Sequence, residues 1–175
     1  PPFTGVDLNE TGQVARLERF ARFYSVQPYP EKEVKGRRFF LDNPSYGHFD
    51  AIMLWSMLRE AQPKRIIEVG SGFSSAAMLD ARDHGGIGAP EFTFIDPDMA
   101  RLRPLLRAGD ERRVTLIENI VQDVPLETFA ALGENDVLFI DSSHVSKIGS
   151  DVNRLFFEVL PTLAPGVIIH IHDVA

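Results

Sequence analysis

Four residues near the end of the chain carry groups able to hold a cation or move a proton: Asp141, His144, His172 and Asp173. Together they make an oxygen-and-nitrogen set suited to Mg²⁺ or another hard divalent ion. Attack by a hydroxyl oxygen needs its proton removed as the new bond forms. A bound metal lowers the hydroxyl's pKa, and an imidazole takes the proton. The plain alternative is that Asp141 and Ser142 cap the following segment while His170 and His172 only decorate a strand end. A second set lies upstream, in Arg65-Ile-Ile-Glu68-Val-Gly70-Ser71-Gly72-Phe-Ser74-Ser75. Two glycines there let the backbone turn sharply and come close to a ligand, and Ser74 is placed to cap the helix that follows.

Asp96, at the end of the next apolar run, is placed to accept hydrogen bonds from both hydroxyls of a ribose, which names a nucleoside rather than a chemistry. The loop narrows the choice. A dinucleotide fingerprint wants Gly or Ala three positions after the second glycine, and Ser75 stands there. An acid as near as Glu68 repels a pyrophosphate and suits a ligand that carries positive charge, such as the sulfonium and amino group of S-adenosylmethionine.

These residues need a frame that brings them to one edge. Short β-branched or aromatic runs alternate with helical ones: strand Arg65–Val69, helix Ser74–Asp83, strand Phe92–Ile95, helix Asp98–Leu106 and strand Val114–Glu118. Helix Leu126–Leu132, strand Asp136–Ile140, helix Ser150–Leu163 and strand Gly166–Ile171 follow. The series predicts an α/β fold, a Rossmann-like, doubly wound, mostly parallel sheet with five strands visible. The strands are nearly continuous apolar runs, as expected when helices cover both faces. In such a sheet Asp141 and Asp173, ending the fourth and fifth strands, reach the same crevice edge as the glycine loop. Residues 1–62 are expected to be a helical lead-in packed on a core of residues 63–175. Its helices run from Gly12 to about Tyr24 and from Phe49 to Glu60, the pair forming one globular domain with that core.

Other residues have plainer expectations. Tyr46, His48 and Asp50 precede or open the second lead-in helix and stand near the pocket mouth, with Asp50 expected as a favourable charge at a helix start. Trp55 is core at helical spacing with Ile52 and Leu58. Arg101, Arg103, Arg107, Arg112 and Arg113, among Asp98, Asp110 and Glu111, are expected on a solvated helix face.

Bulk properties set the outer limits. A chain of 175 residues, 44% hydrophobic and 25% charged, is large enough for one ordinary core. A net charge of -7 with no basic run argues against a nucleic-acid partner, and the lack of cysteine leaves only oxygen and imidazole as metal ligands. No stretch approaches the roughly 18 consecutive apolar residues of a membrane span. The chain therefore reads as soluble and cytoplasmic, with a small-molecule acceptor as partner and a homo-oligomer left open. It lacks an initial Met and ends at Ile171-His172-Asp173-Val174-Ala175 directly after an apolar run. The expectation is a piece of something longer, with the last strands of the sheet beyond Ala175.

At this point a resemblance is visible. Glu68-x-Gly70-x-Gly72-x-Ser74-Ser75, Phe94-Ile-Asp96-Pro97 and Val121-Gln122-Asp123-Val-Pro125 resemble class I S-adenosylmethionine-dependent methyltransferases. The stretch Leu138-Phe-Ile-Asp141-Ser-Ser-His144, with Gly149-Ser-Asp-Val and Leu163-Ala-Pro-Gly166, resembles methyltransferase domain family 24 in particular, over roughly Tyr46 to Asp173. The resemblance implies that Glu68, Gly70, Ser71 and Gly72 flank the methionine part, that Asp96 holds the ribose, and that Val121, Gln122 and Asp123 lie near the adenine; Ser74 and Asp141 are expected among the cofactor-binding residues as well. Related metal-dependent sugar O-methyltransferases carry Asp-x-x-His after the fourth strand and an acid pair after the fifth. That pattern implies His144 as base with Asp141 beside it, and Asp141, His172 and Asp173 as metal ligands, or else Asp141 and Asp173 as acids that orient the substrate, His172 standing where the relatives carry an acid. The expected activity is O-methylation of a small hydroxylated substrate such as a sugar or glycoconjugate, with S-adenosyl-L-methionine and a divalent cation such as Mg²⁺. A nicotinamide-dependent oxidoreductase and a non-catalytic cofactor-binding domain are the alternatives.

Overall fold

The structure is a computed structural model and describes Gly5 and residues 7–173. Five strands, β1 (Arg65–Val69), β2 (Glu91–Ile95), β3 (Val114–Ile117), β4 (Val137–Ile140) and β5 (Ile168–Ile171), form one sheet in the order β3-β2-β1-β4-β5. Every pairing is parallel. The chain builds outward from β1 to β3, returns to the other side of β1 for β4, and so reverses strand order between β1 and β4. That reversal opens a crevice at the carboxyl ends of those two strands.

Alternation along the strands divides the core into two faces. Ile66, Phe92, Phe94, Val137 and Phe139 pack on one face with α2 (His48–Ala61), α3 (Phe73–His84) and the lead-in loop. Ile67, Val69, Ile95, Leu138 and Ile140 pack on the other with Phe129 of α4 (Leu126–Ala130) and with Leu155 and Val159. β4 is buried at all four positions, as a central strand covered on both faces must be. The helices of the lead-in, α1 (Glu10–Tyr24) and α2, contribute Phe20, Leu54, Trp55 and Leu58 to the first face, so lead-in and sheet share one core. Trp55 is buried there and its Nε1 donates to the Gly85 carbonyl at 3.3 Å. Among the described residues no helix is long and apolar enough to cross a membrane.

Two expected helices differ. Asp98–Leu106 forms turns and one short 3₁₀ segment, Arg103–Leu105. Pro104 has no N–H to continue an α-helical ladder, and the Met99 carbonyl accepts from both Leu102 and Arg103, tightening the turn. The arginines of this region are accordingly not one helix face. Arg103 pairs with Glu111 and Glu118, Arg113 with Asp83, and Arg107 stands 3.7 Å from Asp80. The Ser150–Leu163 helix is present but uneven. Ser150 caps α5 (Asp151–Arg154) by accepting from Asn153 N, then Leu155–Val159 widens to a π-type turn and Leu160–Thr162 tightens to 3₁₀ at Pro161.

The irregular segment between α1 and α2 is held by a buried guanidinium. Arg38 donates from Nε and Nη2 to both oxygens of Asp110, each at 2.7 Å, and from Nη1 to Asp80 at 2.8 Å. The backbone N–H groups of Arg38 and Phe39 donate to the other Asp80 oxygen. Burial opposes the Arg38 charge, but the bonds to Asp110 and Asp80 outweigh it and raise its pKa above the usual arginine value. Burial likewise pushes the Asp110 carboxyl up, and the Arg38 bond more than reverses this, leaving it below the usual carboxylate range. Removing one member of such a buried set strands the others without compensation. Arg38→Met is therefore expected to lower unfolding stability by about 3–5 kcal/mol, read from urea denaturation; a loss under about 1 kcal/mol would mean that water already screens the network.

Candidate functional site

The crevice begins where β1 ends. Gly70 has φ +86°, and a Cβ on it would run into the backbone carbonyl of Asp141. The ends of β1 and β4 meet there directly, Asp141 N donating to Val69 O at 2.8 Å, while on the other side Gly70 N donates to Ile95 O of β2 at 2.9 Å. Gly70 is thus required both by its backbone angle and by the approach of β4. Gly72, by contrast, has extended backbone and serves as the residue before α3.

The serines divide the work differently from the sequence expectation. Ser74 is not the cap of α3. Its hydroxyl donates to Glu68 Oε1 at 2.5 Å, while Ser75 Oγ accepts from Gly72 N at 3.0 Å and donates to Glu68 Oε2. The cause is strand alternation, which turns Glu68 toward α3 on the same face as Ile66. Glu68 is fully buried. Burial raises its carboxyl to about 8, the two serine hydroxyls oppose the rise, and the nearby acids Asp141 and Asp96 add to it. A carboxyl mostly protonated near neutral pH does not repel a pyrophosphate, so the charge argument built on Glu68 does not hold. Ser75 still separates the two ligand types, because its hydroxyl fills the gap between helix and strand that a dinucleotide loop leaves to Gly or Ala.

Asp96 follows β2. Its two oxygens accept from Ser71 N and Asp98 N, each at 2.8 Å, which fixes the carboxylate across the mouth of the glycine loop. Each oxygen retains a lone pair for a further donor.

Two cavities meet at Asp141. One, of about 430 Å³, is lined by Gly70, Asp96, Val121, Gln122, Asp141 and Lys147 among others. The other, of about 320 Å³, is lined by Tyr46, Ser71, Gly72, Ser74, Arg101 and Asp141. Of the sequence-nominated cofactor residues, Glu68 lies behind the loop and Asp123 is exposed outside both linings. Asn119, Ile120 and Lys147 line the larger cavity without having been singled out. They sit in the turns after β3 and β4, so strand-end position was the signal that could have found them.

Asp141 is also the centre of the polar cluster. Its Oδ1 lies 3.2 Å from His144 Nε2 and 3.4 Å from His172 Nδ1. Asp173 Oδ1 is 3.9 Å from the same His172 nitrogen. His144 and Asp173 both have left-handed backbone, φ 59° and 53°, conformations that cost energy in ordinary residues and concentrate at functional sites. One ligand atom from each of Asp141, His172 and Asp173 falls within a 4.8 Å span, and the buried Nδ1 of His172 has no hydrogen-bond partner. An unpaired nitrogen facing two carboxylates fits a divalent ion, so the donor set is compatible with the metal that the sequence suggested.

Of the neighbouring residues, Asp50 lies in the first turn of α2, as a charge favourable to a helix start, without a capping bond; its Oδ1 stands 3.7 Å from His172 Nε2. Tyr46 is buried against the His172 ring and donates to Asp50 O at 3.3 Å. His48 pairs with Glu31 at 3.1 Å and lies in the groove between α1 and α2 instead. His170 stacks on Phe139, and burial, then the adjacent His172, lowers its pKa to about 4. It packs as a neutral ring.

With that geometry in view, comparison with known proteins adds the following. The profile of a methyltransferase domain, family 24, matches residues 67–174. The chain belongs to this methyltransferase domain family. A protein of Archaeoglobus fulgidus described only as uncharacterized is 31% identical over 135 residues, covering 75% of this chain and 60% of its own length. The chain thus spans about three fifths of that relative. A CmcI structure with Mg and SAM is 23% identical, covers 99% of this chain and 79% of its own, and superposes with a TM-score of 0.52. The SAH-bound methyltransferase PaMTH1 of Podospora anserina is 15% identical over 97% of this chain and 72% of its own, with a TM-score of 0.50. These likenesses place the fold among Rossmann-like methyltransferases.

Glu68 makes the domain sensitive to pH. With a folded value of about 8 against the ordinary 4.5 of a glutamate, the folded state binds the extra proton between those limits. Stability therefore falls as pH rises from about 4.5 to 8, and the full loss is present above 8. Glu68→Gln, which cannot ionise, is expected to flatten that slope: melting temperatures of variant and parent diverge in the variant's favour between pH 5 and pH 8.5. Parallel melting curves across that range would show that Glu68 ionises freely.

Proposed function

We propose that this domain is an S-adenosylmethionine-dependent O-methyltransferase acting on a small hydroxylated acceptor such as a sugar or glycoconjugate. The observation that carries the reading is Asp141, shared by the two cavities and contacted by the His144 imidazole. The larger cavity suits the nucleoside, with Asp96 accepting from the ribose hydroxyls and Val121 and Gln122 beside the base. The glycine loop leads from there to the smaller cavity, where the methionine part and the acceptor would meet. CmcI, which shares the fold, was solved with Mg and SAM, and PaMTH1 with SAH, which supports the cofactor.

In the reaction, the acceptor hydroxyl oxygen forms a bond to the methyl carbon while the carbon–sulfur bond breaks. The electron pair stays on sulfur and leaves S-adenosylhomocysteine. His144 takes the hydroxyl proton, and Asp141 orients the imidazole through the 3.2 Å contact. A divalent ion held by Asp141, His172 and Asp173 would supply a lowered pKa to the acceptor hydroxyl.

Calorimetric titration with S-adenosylhomocysteine in EDTA tests the cofactor. Binding is expected in the parent protein and at least about 30-fold weaker in Asp96→Ala, the worth of a pair of charge-assisted hydrogen bonds. Heat with NADH and none with S-adenosylhomocysteine would overturn the reading. For the chemistry, His144→Ala is expected to keep its affinity for S-adenosylhomocysteine and to lose about 100-fold or more in methyl transfer to a panel of hydroxylated sugars. Unchanged transfer would remove His144 from the mechanism, and binding with no transfer in the parent would favour a non-catalytic domain.

A further inference from the structure

The two ring nitrogens of His172 face different groups. Nε2 is directed at Asp50, 3.7 Å away, and Nδ1 at Asp141 and Asp173, 3.4 and 3.9 Å away. The side chain is only 10% exposed, and its Nδ1 is buried without a hydrogen-bond partner. The ring is held in plane by Tyr46, with centroids 5.0 Å apart, and by Phe139 at 6.2 Å. A cation held between Nδ1 and its two acids would confine the ring hydrogen to Nε2, on the side of the Asp50 carboxylate, the arrangement commonly seen behind metal-bound imidazoles.

The spacing suits one ion. Ligand atoms about 2.1 Å from a common metal stand roughly 3 to 3.5 Å apart, depending on the bond angle. The contacts on Nδ1 need to close by at most a few tenths of an ångström to meet it, and the three ligand atoms, which span up to 4.8 Å, must draw together by about one ångström at their widest. The donor set is two carboxylates and one imidazole, and this composition bears on the identity of the ion. Mg²⁺ is hard and prefers an all-oxygen shell, whereas imidazole suits Fe²⁺, Co²⁺, Ni²⁺ and Zn²⁺.

We infer that Asp141, His172 and Asp173 bind a first-row transition dication of the Fe²⁺-to-Zn²⁺ range in preference to Mg²⁺, with Asp50 as the positioning residue that presents Nδ1 of His172. The inference rests on the reading of this edge as a metal site in a methyltransferase and deepens it. Asp50 reaches the edge from α2, in the lead-in, so the site is completed by a segment distant in sequence from the strand ends.

The test uses the metal-free protein and the metals alone. Titrations with Co²⁺ and Mg²⁺ are expected to show Co²⁺ bound at least about 100-fold more tightly. His172→Asp, which restores an all-oxygen set, is expected to cut that ratio at least tenfold. Because that variant can fail to fold, a second measurement needs only the parent: the proton spectrum of its Co²⁺ complex is expected to show a shifted, solvent-exchangeable imidazole N–H line. The line marks a metal-bound ring with hydrogen on its other nitrogen, and its dependence on Asp50 assigns that nitrogen as Nε2. Asp50→Ala is expected to broaden or lose the line through faster exchange, while Asp50→Glu retains it. Equal affinities for the two metals, no binding of either, an unchanged ratio in His172→Asp, or no such line would overturn the inference. Binding of S-adenosylhomocysteine in EDTA is read separately, so loss of the metal proposal and loss of the cofactor reading are distinguishable.

Discussion

At the centre of the sheet, the turn after β1 runs against the carbonyl of Asp141, and no side chain fits between them. This contact follows from topology: β1 and β4 are neighbours, yet 71 positions separate Gly70 from Asp141. The chain must leave β1 toward one side of the sheet and enter β4 from the other, so their following loops diverge and leave the crevice between them. Glycine at position 70 lets the loops come close at their base and diverge above it. Asp141 is then placed with its backbone in the sheet ladder and its carboxylate at the boundary of two cavities. His144 and His172 converge on that carboxylate from the loop after β4 and the end of β5.

The rest of the polar interior keeps this geometry in place. α3 begins beside the glycine loop, where Glu68 and Ser75 bind its first turn, and is held further along by Asp80 in the Arg38 network. The two buried acids are satisfied in different ways. Asp80 meets a guanidinium and two backbone N–H groups, whereas Glu68 has only hydroxyl donors and nearby acids, so burial leaves it protonated up to about pH 8. The lead-in is more than a cover for one face. It supplies Arg38 to the core network, Tyr46 to the smaller cavity and Asp50 to His172.

The elements were largely legible in order and type. Five apolar runs became five parallel strands, and the helices before and after the loop fell within a few residues of their periodic patterns. Misreadings arose where local pattern met a competing local or tertiary demand. Asp98–Leu106 has helical composition, but Pro104 and the doubly accepting Met99 carbonyl tighten it into turns. Ser74 has the right type and place for a cap, yet a buried carboxyl on the adjacent strand is the stronger partner for its hydroxyl. The arginines of the same region are largely exposed, as expected, but no single helix carries them, and Arg103, Arg107 and Arg113 face separate acids.

The sequence by itself determined the sheet, the place of Asp96 at the end of β2 and the convergence of Asp141 and Asp173 on one edge. Hydrophobic period and strand-end position are local properties that parallel topology converts directly into place. Only the tertiary structure decided the state of Glu68 and the partners of His172. Both depend on side chains brought together from segments distant along the chain: α3 and the acid-bearing strand ends around Glu68, and α2 with β4 and β5 around His172. Protonation and tautomer are set by burial and by the charge at a few ångströms, quantities that exist only once the chain has folded.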